Sequence, residues 1–125
     1  MRVLVTGAAG FIGSWVIRRL LDRGDIVIGI DNLNDYYSVD LKRDRVALIN
    51  GLSTNRFEFI QVDFADHEAL EAALAGREFD RIVHLGAQAG VRYSIDNPRA
   101  YVQSNLVGHL NVMEIARHRK LEHLV

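Results

Sequence analysis

Three glycines, each separated from the next by two residues, stand in Thr6-Gly7-Ala8-Ala9-Gly10-Phe11-Ile12-Gly13, between a short β-branched run and an amphipathic helical pattern. Gly7 suits a tight turn, Gly10 lets backbone approach a bound group, and Gly13 lets helix and strand pack closely. A helix start also offers unpaired N–H groups and the positive end of the helix dipole, both of which favour an anion. The chemistry that fits is the cradling of a pyrophosphate, as in a dinucleotide. The spacing is G-x-x-G-x-x-G rather than the general G-x-G-x-x-G, and glycines also mark plain turns. Its weight therefore comes from context: a strand before, a helix after, and an acidic residue after the next strand.

That acidic residue is Asp31, 24 positions beyond Gly7. A carboxylate there accepts hydrogen bonds from the adenosine ribose and repels a 2′-phosphate, so NAD is expected rather than NADP. The plainer alternative is an aspartate that caps a turn. Asp63, after the third strand, either receives the adenine amino group or marks a helix entry. Arg92 suits bidentate recognition of a substrate phosphate or carboxylate, or else is a surface arginine. His84, at a strand end, is read as a packing or loop-orienting residue rather than a general base. His67, His109, His118 and His123 lack metal-ligand spacing, and no metal is expected.

The elements that must position these residues alternate strand and helix throughout. Strands are expected at Val3–Val5, Ile26–Ile30, Phe57–Val62 and Arg81–Leu85, with the opening of a fifth at Glu122–Val125. Helices are expected over Phe11–Arg23 (apolar at Ile12, Trp15, Val16, Leu20 and Leu21), with Gly24 as C-terminal cap. Others follow at about Val39–Asn50 (Leu41, Val46, Leu48, Ile49) and His67–Ala75, the latter capped by Asp66. A single long helix is expected from about Pro98 to Lys120, with Tyr101, Val102, Leu106, Leu110, Val112, Met113 and Ile115 as its apolar positions. Such alternation implies right-handed crossovers and a parallel sheet covered on both faces: an α/β, Rossmann-type fold of about four strands plus the start of a fifth.

Composition bounds the rest. A chain of 125 residues fits one domain, and 49% hydrophobic against 25% charged is too apolar for disorder. Fifteen basic and sixteen acidic side chains give a net charge of −1, without the footprint of a nucleic-acid or anionic-membrane partner. The absence of cysteine excludes disulfides, thiolate metal sites and a cysteine nucleophile, and fits a reducing compartment. No run approaches the roughly 18 apolar residues of a membrane span, and the N-terminal apolar run is too short for a signal. The expectation is a cytoplasmic domain.

Taken together, Thr6-Gly7-x-x-Gly10-x-x-Gly13, Gly29-Ile30-Asp31-Asn32-Leu33, Val62-Asp63, His84-Leu85-Gly86-Ala87-Gln88-Ala89 and Ser104-Asn105-Leu106-Val107-Gly108 carry a resemblance. The chain resembles the extended short-chain dehydrogenases/reductases, the NAD-dependent nucleotide-sugar epimerases and dehydratases, along essentially all its length. Asn34-Asp35-Tyr36-Tyr37 with the charged helix after it, and Ala89-Gly90-Val91-Arg92-Tyr93-Ser94, resemble the UDP-glucuronate 4-epimerase branch. The resemblance implies that Gly7, Gly10, Phe11 and Ile12 line the pyrophosphate, with Asp31 and Asn32 at the adenosine ribose and Asp63 and Phe64 at the adenine. Leu85, Gly86, Ala87 and Gln88 would line the nicotinamide ribose end. Gly86 replaces an expected alanine and should loosen its loop. Asn105 would hold a structural and proton-relay position beside the active site, or be a locally satisfied helix-face residue.

The family's chemistry also needs a Tyr-x-x-x-Lys pair, the tyrosine as acid/base and the lysine lowering its pKa. Four residues beyond Tyr36, Tyr37, Tyr93 and Tyr101 stand Asp40, Leu41, Asn97 and Asn105, and the only lysines are Lys42 and Lys120. No catalytic residue is expected in this chain beyond the supporting Asn105. The expectation is therefore that residues 1–125 are the N-terminal, NAD-binding portion of a longer nucleotide-sugar epimerase, truncated or proteolysed, acting on a UDP-uronic acid. The implied reaction is C4 oxidation to a 4-keto sugar, rotation and re-reduction. A fragment of a related dehydratase or decarboxylase, or a non-catalytic dinucleotide-binding module, are the alternatives. An uncovered apolar strand at the sheet edge would favour self-association.

Overall fold

A computed structural model describes residues 1–52 and 55–125. Its strands are β1 (Arg2–Thr6), β2 (Ile26–Asp31), β3 (Phe57–Gln61), β4 (Arg81–His84) and β5 (His123–Leu124). They form one parallel sheet in the order β3-β2-β1-β4-β5, with β1 at the centre and the sheet open at both edges. The helices are α1 (Phe11–Asp22), α2 (Val39–Leu52), α3 (His67–Leu74), α4 (Tyr93–Asp96), α5 (Pro98–Tyr101) and α6 (His109–His118).

Side chains alternate across the central strands, and the two faces therefore build two cores. Val3 and Val5 of β1 and Val27 of β2 pack with Ile17 and Leu21 of α1 and Ile49 of α2. Leu4, Ile28, Ile30 and Ile82 face the other way, against Leu70 and Leu74 of α3 and Val112 and Ile115 of α6. Burying one such aliphatic side chain contributes about 1.5–3 kcal/mol, so both layers are needed to hold the sheet. After β3 the chain crosses to the far side of β1, and the strand order reverses between β1 and β4. In open α/β sheets the crevice beyond the strand ends at such a point is where ligands bind.

Several helical faces differ from the sequence reading. Ile12 and Trp15 of α1 are turned away from the sheet, Ile12 toward the cleft and Trp15 beneath the Arg18 guanidinium at 4.4 Å, whereas Ile17 is fully buried. The inward stripe is Gly13, Ser14, Ile17 and Leu21, and its two small residues hide it from a count of large apolar side chains. In α2, Leu41 and Leu48 are exposed and Lys42 joins Val46 and Ile49 on the buried side. The expected single helix from Pro98 is α5, a π-helical stretch over Val102–Gly108, and α6, preceded by the unforeseen α4. Of its apolar positions, Val112 and Ile115 face the sheet, whereas Val102, Leu106, Leu110 and Met113 are exposed. The remaining boundaries agree within two residues. The Asp66 cap is present, its carboxylate accepting from Ala69 N at 3.0 Å, and Gly24 follows α1 at φ +95°. Among the described residues no helix is long and apolar enough to cross a membrane.

Candidate functional site

At the carboxyl ends of β1, β2 and β4 lies a cleft of about 230 Å³. Its floor is the turn from β1 into α1. Gly7 holds φ +68°, and an added Cβ there would stand 2.8 Å from Gly86 N, so both conformation and space require glycine. A Cβ on Gly13 would run into the Gly7 carbonyl, with the carbonyl carbon itself at 2.9 Å. The first turn of α1 is thus drawn against the loop. Gly10 precedes α1 without a side-chain cap, leaving the leading N–H groups of the helix for an external acceptor.

Thr6 ties this floor to the opposite wall. Its fully buried hydroxyl oxygen accepts from Leu85 N at 3.1 Å and Gly86 N at 2.9 Å, and lies 2.6 Å from His84 Nδ1. With both acceptor positions used, the hydroxyl proton goes to Nδ1, and His84 carries its own proton on Nε2. Burial, helped by nearby His109, lowers the His84 pKa to about 4, which keeps the ring neutral. His84 therefore orients the loop, in agreement with its sequence reading.

Asp31, 8% exposed, accepts from Ala9 N (Oδ2, 3.1 Å) and Leu33 N (Oδ1, 2.9 Å). Each oxygen keeps a second lone pair for a ligand hydroxyl, and the carboxylate is held between glycine turn and β2. Asn32 Nδ2 donates to Asp63 Oδ2 at 3.1 Å, while Asp63 Oδ1 accepts from Ala65 N at 2.8 Å. Asp63 thus fixes the turn into α3 as well as Asn32. Phe64 lies between two glycines: an added Cβ would meet its ring at Gly86 (Cζ, 3.0 Å) and again at Gly108. At Gly86 the phenyl ring occupies the space that an alanine methyl would take. Asn111, on α6, donates to Phe64 O at 3.0 Å.

Of the residues singled out from sequence, Gly7, Gly10, Ile12, Gly13, Asp31, Asn32, Phe64, Leu85, Gly86, Ala87 and Gln88 line this one cleft. Four do not. Phe11 points outward near Arg45, Asp63 is hydrogen-bonded to Asn32, and Arg92 is exposed, three residues beyond the lining Ala89. Asn105 contacts the wall from outside: its Oδ1 accepts from Gln88 N at 2.8 Å and its Nδ2 donates to Gln88 O at 3.0 Å. Six further lining residues went unassigned in the sequence: Asn34, Tyr36, Tyr37, Lys42, Ala89 and Ser104. Lys42 is 6% exposed, and its Nζ donates to Asn34 O at 2.8 Å and Asn34 Oδ1 at 2.9 Å. Its signal was its place on the Lys42, Val46, Ile49 stripe, where helical period calls for an apolar residue. No cluster of potential metal ligands occurs among the described residues.

The donor set fits a dinucleotide: a glycine floor whose close approaches leave no room for side chains, free helix N–H groups, and a two-oxygen acceptor one strand away. Comparison with known proteins agrees. The family model for GDP-mannose 4,6 dehydratase matches residues 4–125. A probable UDP-glucuronate 4-epimerase from Rhizobium meliloti (strain 1021) is 46% identical over all of this chain, which covers 36% of that relative. A Bacillus cereus UDP-glucuronic acid 4-epimerase mutant, solved with UDP-4-deoxy-4-fluoro-glucuronic acid and NAD, superposes with a TM-score of 0.85 at 33% identity. The match covers 99% of this chain and 38% of that one. The UDP-glucose 4-epimerase of Thermus thermophilus, solved with NAD, gives 0.79 at 38% identity, covering 99% and 36%. The chain spans little more than a third of these relatives' length. A glycine-floored cleft at the switch point of a 3-2-1-4-5 sheet and a family match over residues 4–125 lead to one assignment: this chain belongs to the GDP-mannose 4,6 dehydratase family, among relatives that are nucleotide-sugar epimerases and dehydratases.

Proposed function

We propose that the cleft binds NAD, and that residues 1–125 are the cofactor-binding portion of a longer UDP-glucuronate 4-epimerase. In this reading Gly7, Gly10, Phe11, Ile12 and Gly13 meet the pyrophosphate through backbone and helix dipole. Asp31 and Asn32 take the adenosine ribose, with Asp63 holding Asn32 in place and Phe64 walling the adenine side. Leu85, Gly86, Ala87 and Gln88 face the nicotinamide ribose, and Asn105 keeps Gln88 in register. Bound NAD supplies reversible hydride acceptance at C4 of the sugar. This chain binds and orients, and the exposed Arg92 is the group offered to a phosphate or carboxylate of a UDP-uronic acid. No tyrosine of the chain has a lysine four residues on, so turnover by residues 1–125 alone is not expected.

The observation that carries the reading is Asp31: a buried carboxylate with free acceptor capacity, bonded to the glycine turn itself. Titration calorimetry with NAD and NADP tests it. Wild type should prefer NAD. Asp31→Asn, which keeps an acceptor oxygen for only one of the two backbone bonds and removes the charge, should weaken NAD at least about 10–100-fold, the worth of a charge-assisted hydrogen bond of about 1.5–3 kcal/mol. Equal binding of NADP by wild type would overturn the role given to Asp31. For the sugar, the longer protein should epimerise UDP-glucuronate; activity on UDP-glucose alone would remove the uronate assignment.

A further inference from the structure

The two segments that carry the resemblance to the UDP-glucuronate branch, 34–37 and 89–94, lie 52 or more positions apart in sequence and meet in space. Gly90 holds φ +99°, and the position its Cβ would need is filled by the Tyr36 hydroxyl, with Tyr36 Cζ 3.2 Å away. The Tyr36 ring packs at 4.9 Å from Tyr93 and edge-on at 4.7 Å from Tyr37. Tyr93 lies 6.3 Å from Tyr101, and its hydroxyl accepts from Asn97 Nδ2 at 2.9 Å. Tyr101 in turn donates from its own hydroxyl to the Ala89 carbonyl at 2.9 Å and contacts the Gly90 carbonyl. Tyr36, Tyr93 and Tyr101 therefore meet at the 89–94 segment, with Tyr37 packed on Tyr36. Val91 and Arg92, next to Gly90, are otherwise exposed.

We propose that Tyr36 is a positioning residue that locks the 89–94 segment, and with it Arg92, against the loop following Asp31. The lock works by shape. A left-handed glycine makes a recess, the phenol tip fills it, and the ring packs, tilted by 41°, against Tyr93 of the same segment. Tyr36 and Ala89 both line the cleft, so the lock joins its two rims. Resting on the NAD reading above, a cofactor that orders the loop after Asp31 orders the Arg92 segment through Tyr36. Thermodynamic coupling is reciprocal: the factor by which NAD protects the segment is the factor by which the lock tightens NAD.

Tryptic cleavage after Arg92 reports opening of the segment, and cleavage after Arg117 on α6 serves as the reference for global unfolding. Without NAD, Tyr36→Ala should raise cleavage after Arg92 at least tenfold and leave Arg117 unchanged, whereas Tyr36→Phe, which keeps the ring stack, should stay within about threefold of wild type. Gly90→Ala carries the strain of a left-handed backbone in either background, so it should open the segment strongly in wild type and less in Tyr36→Ala, where the clash with the phenol tip is gone and only that strain remains. Saturating NAD should slow cleavage after Arg92 in wild type and Tyr36→Phe but not in Tyr36→Ala, whose NAD affinity should fall by the lost protection factor. Unchanged cleavage after Arg92 in Tyr36→Ala, or fully additive effects with Gly90→Ala, would overturn the lock. If Tyr36→Ala also releases Arg117, the Tyr36→Phe and Gly90→Ala pair decides by the same additivity criterion. Failure of wild type to bind NAD would instead remove the functional reading, while the ligand-free comparison still decides the lock.

Discussion

The floor of the cleft and its outer rim are built by different means. The floor is backbone: Ala8 N donates to Ile30 O at 3.1 Å, Gly10 N to Gly7 O at 3.0 Å, and the side chains involved, Thr6 and Asp31, are buried. The rim is made by side chains, four tyrosines packed on one another and on the backbone of a segment whose Val91 is 87% exposed. A site made of backbone is rigid and tolerates little change, whereas a site made of exposed side chains can alter its ligand without disturbing the fold.

The largest expected effect lies in the floor. Gly13→Ala places a methyl group on the Gly7 carbonyl, and should cost about 3 kcal/mol in urea unfolding together with most NAD affinity. A stable, NAD-binding Gly13→Ala would show the floor to be softer than its geometry. Thr6→Val comes next. It removes one donor and two acceptor interactions while keeping shape, and should lower stability by about 2–3 kcal/mol, read by the same unfolding curve.

The third effect is one of pH. His84 has a folded-state pKa of about 4 against about 6.5 unfolded, so between these values only the unfolded chain takes up the proton. Stability is then fully present above pH 6.5 and is lost as pH falls toward 4, by about 1–2 kcal/mol after allowing for partial exposure of the ring. His84→Asn keeps an acceptor for Thr6 and should flatten the profile in that window; an unchanged slope would assign it to other groups. Smallest is Arg92→Ala on the rim, expected within about 0.5 kcal/mol of wild type in stability and unchanged in NAD affinity. A larger change would mean that Arg92 belongs to the floor after all.

The same division decides what could be read from the sequence. The glycine turn, the carboxylate after β2 and the doubly covered sheet follow from local spacing and periodicity. Lys42, by contrast, falls on a buried helical stripe by spacing, but what holds its charge there, the Asn34 carbonyl eight residues earlier, cannot be read from it. Gly86 reads as a loosening substitution, and nothing in its spacing shows Phe64, 22 residues away, in the space of a methyl group. Tyr36 and Gly90 were visible only as marks of a branch. Each of these depends on a pairing across the fold that neither residue type nor spacing encodes. The exposed leucines of α2 and α6 teach the reverse point, since apolar identity alone does not say which way a helix turns its face.

The π-helical stretch over Val102–Gly108 carries a consequence for how this domain can change. A widened turn holds one residue more than the regular helix around it, and such insertions tend to sit near functional sites. Deleting one residue there should restore regular helix and turn its leading half by about 100° relative to α6. Asn105 would then leave Gln88, while Val112 and Ile115 kept their grip on the sheet. A single codon lost or gained in this stretch could thus retune the wall of the cleft without touching the core.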